Sequence, residues 1–235
     1  MGRYLLKFSK EDRLKYISHL DLLRLFQRAF KRAQIKLKYS QGYNPHARIA
    51  FALPLSLGFE SGAEYMEFET EIDYPAAEAL KMLQAQMPAG LGILSCTDMA
   101  ETSKTPIAAA LDFASYKVVF KGTTENMTKV VEGIRPFMKQ EQIMNKKFSK
   151  KKKKEVESDI RPHIHSITTV KGDDKVTLSM MLRTGSRGNL NAEVLVEELC
   201  KFCEVPYERA EWSFRRTEMY YEKGRNLVEL SQFKG

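Results

Sequence analysis

The stretch SHLDLLRLFQRAFKRA at residues 18–33 opens the segment around which this 235-residue chain is organised. Ser18 can accept a hydrogen bond from the backbone near Asp21, and Asp21 can reach back, which is the capping-box pattern of a helix start. Apolar residues then recur at helical spacing and define the expected buried stripe: Leu22, Leu25, Phe26, Ala29, Phe30 and Ala33. The stretch therefore predicts an amphipathic helix with one face in the core.

Three arginines of the same stretch are spaced four residues apart and share another face of the helix: Arg24, Arg28 and Arg32. Like charges at this spacing repel, so the row is mildly destabilising unless carboxylates or phosphates neutralise it. Together with Arg48, these side chains are predicted to face phosphate, because guanidinium groups match phosphate oxygens in geometry. The alternative is that they pair with acids inside the fold: Asp12, Asp21, Glu60 or Glu64.

A second motif, YSQGYNPH at residues 39–46, has the composition of a turn, because Gly42 tolerates positive φ and Asn-Pro favours turn initiation. Ser40 and Asn44 would add hydrogen bonds to a bound phosphate, and the ring of Tyr43 would stack on an unpaired base. The sequence thus predicts one RNA-binding surface formed by the arginine row and this turn.

The order of predicted strands and helices indicates the fold. Strand, helix, strand, strand, helix, strand are predicted at 3–8, 18–33, 48–53, 65–72, 75–87 and 91–96. A similar order recurs at 116–120, 124–138, 160–170, 175–183, 191–203 and 210–220. This is the order of the split β-α-β unit. We therefore predict an α+β fold of two tandem ferredoxin-like halves with antiparallel sheets, residues 1–100 and 115–235, joined by a linker at 101–114.

A lysine-rich segment at 146–154 holds seven lysines and lies between two predicted elements, as a loop would. Like-charge blocks are usually solvated and mobile. Lys151, Lys152 and Lys153 could form a flexible phosphate-binding arm, and Arg161 is assigned to the same RNA-binding set. The alternative is a solvated loop with no dedicated partner.

Composition and charge narrow the class of protein. Hydrophobic residues make up 43% and charged residues 29%, as in soluble globular domains, and no apolar run approaches the roughly 20 residues of a membrane span. The N-terminus lacks the features of a signal peptide, and the three cysteines form no disulfide framework, so we expect a cytoplasmic protein. A formal charge of +8 and a pI near 9.2 favour nucleic acid as the partner.

Histidines and acids supply the candidate catalytic residues. His19 and His46 lie in motifs rich in polar groups. With Asp21, Glu64 or Glu67 they could converge as general acid and base, or as metal ligands. The alternatives are a helix-start role for His19 and a structural turn role for His46. A metal site needs three protein ligands in known geometry, and the sequence gives only candidates, so we predict no metal and no cofactor.

Further polar residues favour structural roles. Four residues alternate along a predicted strand and would share one face: Asp159, Arg161, His163 and His165. Of these, Asp159 and Arg161 are interpreted as a local ion pair. Cys200 and Cys203 lie on a predicted helix with no second pair at zinc-ribbon spacing, which indicates two ordinary helix cysteines, one of them buried.

In order and spacing, these motifs resemble the radical SAM-linked protein family. The resemblance rests on SHLD at 18–21, YSQGYNPH at 39–46, PLSLG at 54–58 followed by Glu64, and DIRP at 159–162. It covers roughly residues 2–215 and implies a bacterial protein encoded beside, or fused to, a radical S-adenosylmethionine protein, often near genes for a ribonuclease and ribosomal proteins. Two residues depart from the family pattern: Ala47 replaces a second Pro, and Tyr43 replaces Phe.

The resemblance and the charge together suggest three functions. The leading hypothesis is a non-catalytic accessory protein that presents a basic surface to ribosomal or transfer RNA and delivers it to the radical SAM partner. The cluster-binding Cys-x-x-x-Cys-x-x-Cys is absent, so this chain does not carry the radical chemistry. The alternatives are an RNA-processing or RNA-modifying enzyme using His19 and His46, and a protein-interaction module that docks on the partner without RNA.

Overall fold

A computed structural model describes residues 2–99, 105–149 and 154–234. The chain forms two compact units, one of Met1–Asp112 with Arg216–Gly235 and one of Phe113–Arg215. The sequence assigned everything from 115 to 235 to the second half, whereas the residues from Arg216 onward belong to the first unit. The reason is long-range pairing: side chains of this last segment bond to residues far earlier in the chain.

The first unit begins with an antiparallel sheet and two helices packed on it. Its elements are β1 (Arg3–Lys10), a 3-10 helix (Asp12–Tyr16), α1 (His19–Arg32), β2 (Ile49–Phe51), β3 (Glu60–Glu69), α2 (Ala76–Gln84), β4 (Leu91–Asp98) and α3 (Ile107–Ala110). β1 lies between β4 and β3 and is antiparallel to both, while β2 pairs antiparallel with β3.

Helix α1 begins and packs as its sequence predicts. The Asp21 backbone N–H donates to the Ser18 hydroxyl over 3.1 Å, and that hydroxyl donates to the Asp21 carboxylate over 2.6 Å. Five of the six predicted stripe residues are buried, and Leu25 is partly buried. The Phe26 ring lies 4.9 Å from that of Phe8 on β1, which fixes the buried face of the helix against the sheet.

The second unit contains a sheet, two helices and a separate hairpin arm. Its elements are β5 (Phe113–Phe120), α4 (Thr124–Lys139), β6 (Met144–Ser149), β7 (Lys154–Asp159), a 3-10 helix (Arg161–His163), β8 (Ile164–Lys171), β9 (Val176–Arg183), α5 (Ala192–Phe202), a 3-10 helix (Arg209–Glu211) and β10 (Trp212–Lys223). β9 pairs with both β5 and β8, while β6 and β7 form their own ladder.

β10 starts in the second unit and continues into the first. From Arg216 its residues lie beside β3, and a final strand, β11 (Asn226–Glu229), pairs antiparallel with it. The sequence predicted one terminal strand at 210–220, so β11 was not anticipated. The α+β class with antiparallel sheets is nevertheless confirmed.

The lysine-rich segment is not a simple loop. Lys146 lies on β6 and Lys154 on β7, and Lys146 is paired with Glu157 across the ladder at 2.9 Å. A strand pairing had not been predicted here because a block of like charge favours solvated chain. Lys151, Lys152 and Lys153 lie outside the described residues.

No membrane-crossing segment is found among the helices of the described residues, since none combines the required length with sufficient apolarity.

A buried charge network joins β1, β3 and β10 in the first unit. The Arg216 guanidinium donates to both Glu64 carboxylate oxygens, over 2.8 and 3.1 Å, and these two residues are 2% and 3% exposed. Arg216 also donates to the carbonyls of Leu53 and Pro54, while the buried Lys10 ammonium donates to the Ile17 carbonyl over 3.1 Å. The network therefore holds the PLSLG loop at 54–58, and the segment at Ile17 that leads into α1, against the sheet.

Removing one partner of the Glu64–Arg216 pair should lower the free energy of unfolding far more than replacing both. Glu64→Ala leaves the Arg216 charge buried without its carboxylate and is expected to lower the free energy of unfolding by about 3–5 kcal/mol. The double variant Glu64→Leu with Arg216→Met should recover part of that loss, because no buried guanidinium remains unpaired. Urea unfolding of both single variants and the double variant measures the coupling, and strictly additive losses would contradict it.

Candidate functional site

The three arginines of α1 all lie exposed on its outer face. Arg24 pairs with Asp21 over 3.2 Å, with side chains 66% and 55% exposed. Arg28 makes no hydrogen bond or salt bridge with another described residue, although the Asp21 carboxylate attracts it as well as Arg24. Among the described residues, Arg32 donates only to the side-chain and backbone oxygens of Gln86. Exposed pairs contribute little and the oxygens of Gln86 are uncharged, so the row keeps most of its positive charge.

A groove of about 720 Å³ runs along this face of α1. Its lining residues are Arg24, Gln27, Arg28, Phe30, Lys31, Ile35, Lys36, Leu37, Tyr39 and Glu71. Phe30, Ile35 and Leu37 are buried and form an apolar floor. Four of the lining side chains are cationic and one is acidic, so the groove is positively charged.

Two neighbouring concavities share lining residues with this groove. One of about 480 Å³ shares Arg28 and reaches Arg32 and Gln86, and one of about 450 Å³ shares Tyr39 and reaches Ser40. We call these three linked concavities, lined by parts of 24–45, 71 and 85–88, the basic trough. The trough brings the arginine row and the beginning of the predicted turn onto one surface.

The loop at 39–47 is closed by its own backbone. Ser40 N–H donates to the His46 carbonyl over 2.8 Å, and His46 N–H donates to the Ser40 hydroxyl over 3.0 Å. Gly42 adopts a φ of +133°, which other residues rarely adopt. Asn44 and Tyr43 are exposed between these ends, with Tyr43 at 107%. Ser40 therefore holds the loop together, while the Tyr43 ring is presented to solvent.

Arg48 is occupied by an ion pair that the sequence did not suggest. Its guanidinium lies 3.1 Å from a Glu69 carboxylate oxygen, and the Lys38 ammonium lies 3.2 Å from the other. Partial burial alone would raise the pKa of Glu69, but hydrogen bonds from Arg48 and Lys38 lower it. Arg48 thus secures the base of the loop and does not extend the uncompensated arginine row.

The three candidate catalytic residues occupy different environments. His19 is exposed on the first turn of α1, with its ring 5.0 Å from that of Phe51. His46 is exposed in the loop. Glu64 is buried, and burial raises the pKa of its carboxyl while Arg216 opposes that rise. Because Glu64 is withdrawn from solvent, it cannot serve beside two exposed imidazoles as predicted.

Metal ligands do not cluster in the part of the chain that the structure describes: no group of three or more His, Cys, Asp or Glu there could hold an ion. The cysteines are as interpreted, with Cys200 buried and Cys203 partly buried. Burial raises the pKa of Cys200 to about 12 and that of Cys203 to about 11, which leaves both as thiols at neutral pH.

The prediction of one strand running from Asp159 to His165 is wrong for the residues before Ile164. Arg161–His163 is a 3-10 helix, and β8 begins only at Ile164. The Asp159 carboxylate accepts from the backbone N–H groups of Ile143 and Arg161, both over 2.9 Å, which turns the chain.

The Arg161 side chain is held by hydrogen bonds to the backbone. Its guanidinium donates to the carbonyls of Met138, near the end of α4, and of Ile164, over 3.0 and 3.3 Å. Its contact with Asp159 runs through the Arg161 backbone N–H, and the described contacts include no side-chain salt bridge between the two residues. Because its donors point to backbone oxygens, Arg161 does not extend a basic surface.

Lys36 and Tyr39 are among the trough residues that sequence reasoning did not assign to the site. Lys36 and Tyr39 line it, and both are exposed. The signal was present, because Ile35 and Leu37 alternate with Lys36 and Lys38 as in a half-buried extended segment. The bridge between Leu37 and Thr70 explains the extended geometry of this segment.

A family model matches residues 3–192, which include the whole trough. The chain belongs to the DUF2344 family. This family is described as an uncharacterized protein conserved in bacteria. No curated protein matches this DUF2344 chain.

One solved structure gives a likeness of fold alone. A chain of a Cbf5-Nop10-Gar1 complex matches with a TM-score of 0.51 and 9% identity, over 92% of this chain and 48% of that one. The DUF2344 chain thus spans about half the length of that neighbour. A crystallised protein of unknown identity from Galdieria sulphuraria is 12% identical over 97% of this chain and 98% of that one, with a TM-score of 0.27.

The turn at Asp159 predicts an acid-sensitive contribution to stability. Two backbone hydrogen bonds lower the pKa of Asp159 below its ordinary value of 3.8. A lowered pKa in the folded state stabilises the fold above the ordinary value, and this contribution is lost as the pH falls through the folded pKa. Asp159→Asn keeps an acceptor without the charge, so its deficit against wild type should shrink as the pH falls below about 4. Urea unfolding at several pH values measures this deficit, and a constant deficit would contradict the account.

Proposed function

We propose that this DUF2344 protein is a cytoplasmic accessory protein of a radical SAM enzyme and binds RNA at the basic trough, without catalysis of its own. The observation that supports this proposal most is the uncompensated charge of the trough. Arg28 is exposed without an ion pair among described residues, and Arg24 and Arg32 have only weak or uncharged partners. The formal net charge of +8 would add long-range attraction for a polyanion.

The shape of the trough supports an extended polyanion over a compact anion. Arg24 and Arg32 are eight residues apart on one helix, which places their Cα atoms about 12 Å apart. The adjoining loop continues the surface from Tyr39 toward Ser40. A chain of phosphates could contact several of these cations at once, whereas a single phosphate could reach only part of the row.

We also propose that each unit is a ferredoxin-like half. In the first unit the strands lie in the spatial order β4, β1, β3, β2, with α1 and α2 between strands in sequence. In the second unit the strands lie in the order β10, β5, β9, β8, with only the start of β10 in this unit. This order corresponds, strand for strand, to that of the first unit. The order of elements in both units supports this reading.

Charge reversal in the arginine row should abolish most RNA binding. Arg24→Glu with Arg28→Glu is expected to weaken binding of a structured RNA by at least roughly tenfold per arginine, since each loses a charged contact to phosphate. The salt dependence should also flatten, by about 0.7 per lost contact if the bound segment is single-stranded. Filter binding across a salt series measures both quantities.

The matched control is Arg13→Glu with Arg225→Glu. Both arginines are exposed, neither lines the trough, and the change in net charge is the same. This control should bind RNA nearly as wild type does. Equal losses in the two double variants would show that binding follows net charge alone, which contradicts the proposal, as would an absence of RNA binding.

A second candidate function, docking on the radical SAM partner, is favoured by exposed apolar side chains in the first unit. Tyr16, Leu20 and Leu57 are each more than half exposed, and Gly58 N–H donates to the Lys15 carbonyl, which brings two of their segments together. Leu20 and Leu57 belong to the SHLD and PLSLG motifs that carry the family resemblance. Exposed apolar patches are typical of protein interfaces.

The docking proposal predicts that Leu20→Asp with Leu57→Asp abolishes co-purification of the radical SAM protein encoded nearby, while RNA binding is retained. Leu94→Asp is the matched control, because Leu94 is an equally apolar side chain, 50% exposed on β4. Co-purification that survives the double variant, or that fails equally in the control, would contradict docking at these residues.

A further inference from the structure

Two tyrosines of the loop at 39–47 have exposed side chains. Tyr43 is 107% exposed and Tyr39 is 51% exposed. Tyr39 lines two of the three concavities of the basic trough, and Tyr43 follows it by four residues across Gly42. The Tyr39 ring therefore lies on the same surface as the arginine row, and Tyr43 lies in the loop that adjoins this surface.

Tyr4 and Tyr65 of the first unit, by contrast, are built into the structure. Tyr4 is buried, stacks on Phe68 and donates to the Tyr74 carbonyl. Tyr65 is buried and donates to the Glu218 carboxylate over 2.6 Å. A tyrosine ring buries a large apolar area when it packs, so a ring left fully in water gives up that stabilisation. The ring of Tyr43 and the exposed part of the Tyr39 side chain can thus contact a ligand.

Aromatic rings beside a row of cations discriminate between forms of nucleic acid. The face of each base in a duplex is covered by its neighbours, whereas an unpaired base can stack on an aromatic side chain. Stacking tolerates any base, while arginines and lysines track the backbone, and together these contacts are typical of single-strand binding. A duplex could use the cations of the trough but not the two rings.

We propose that the ligand of the trough is an unpaired RNA segment, with its phosphates on Arg24, Arg28 and Lys36 and successive bases stacked on Tyr39 and Tyr43. This inference rests on the proposed RNA binding and specifies the form of RNA. The arginine row supplies affinity for either form, and the two rings supply the preference for single strands.

The test compares one RNA in two forms. A fluorescein-labelled, unstructured RNA of about 16 nucleotides and the same strand annealed to its complement are titrated with the full chain by fluorescence anisotropy. The single strand should bind at least roughly tenfold more tightly, because only it can stack on a tyrosine ring. Tyr39→Ala with Tyr43→Ala should lose at least roughly 30-fold on the single strand, from two stacked bases, and little on the duplex.

Two further measurements separate stacking from loss of folding. Tyr16→Ala removes a ring that is 65% exposed outside the trough and should leave binding unchanged. Tyr39→Phe with Tyr43→Phe keeps both rings and should retain single-strand binding. Fluorescence of an RNA containing aminopurine should be quenched on binding by wild type and by the Phe variant, but not by the Ala variant.

The outcomes distinguish the two proposals. Equal affinity for both forms, with the Ala variant unchanged, would overturn the inference of single-strand binding, and so would tighter binding of the duplex. In either case the proposal that RNA binds at the trough would stand if Arg24→Glu with Arg28→Glu abolishes binding. Absence of binding to either form would overturn both proposals.

Discussion

The packing of Phe26 and Phe30 on the sheet of the first unit is the constraint on which the candidate site depends. Their rings lie 4.9 Å from Phe8 and 4.8 Å from Phe68, which fixes the rotation of α1 about its axis. Successive helical residues point about 100° apart, so burying this stripe turns the arginine row to solvent. A helix rotated by one residue would instead bury guanidinium groups, at a prohibitive cost in desolvation.

Local features of the site could be read from the sequence because local chemistry decides them. The Ser18 cap, the apolar stripe of α1 and the turn around Gly42 each follow from residues within one or two turns of chain. The cap at Thr123, whose hydroxyl accepts from the Asn126 backbone N–H, is decided by residues equally close in the chain. For such elements, propensity and packing agree, and the structure matches the prediction.

Pairing over long separations could not be read in this way. Glu64 looked like an acid near two histidines, but it is bound by Arg216, which lies 152 residues further along the chain. Arg48 looked like a free cation, but it pairs with Glu69 on β3, a register that no local pattern specifies. At Asp159 a side-chain-to-backbone hydrogen bond replaced strand geometry, and alternation alone does not reveal that competition.

The central claim is that the face of α1 and the loop after it form one surface for a polyanion. Photocrosslinking with a thiouridine-containing RNA, followed by mass-spectrometric mapping of the modified peptides, tests it directly. The account predicts crosslinks within residues 24–48, with Tyr39 and Tyr43 among the modified side chains. Crosslinks confined to the second unit, with residues 24–48 unmodified, would contradict it.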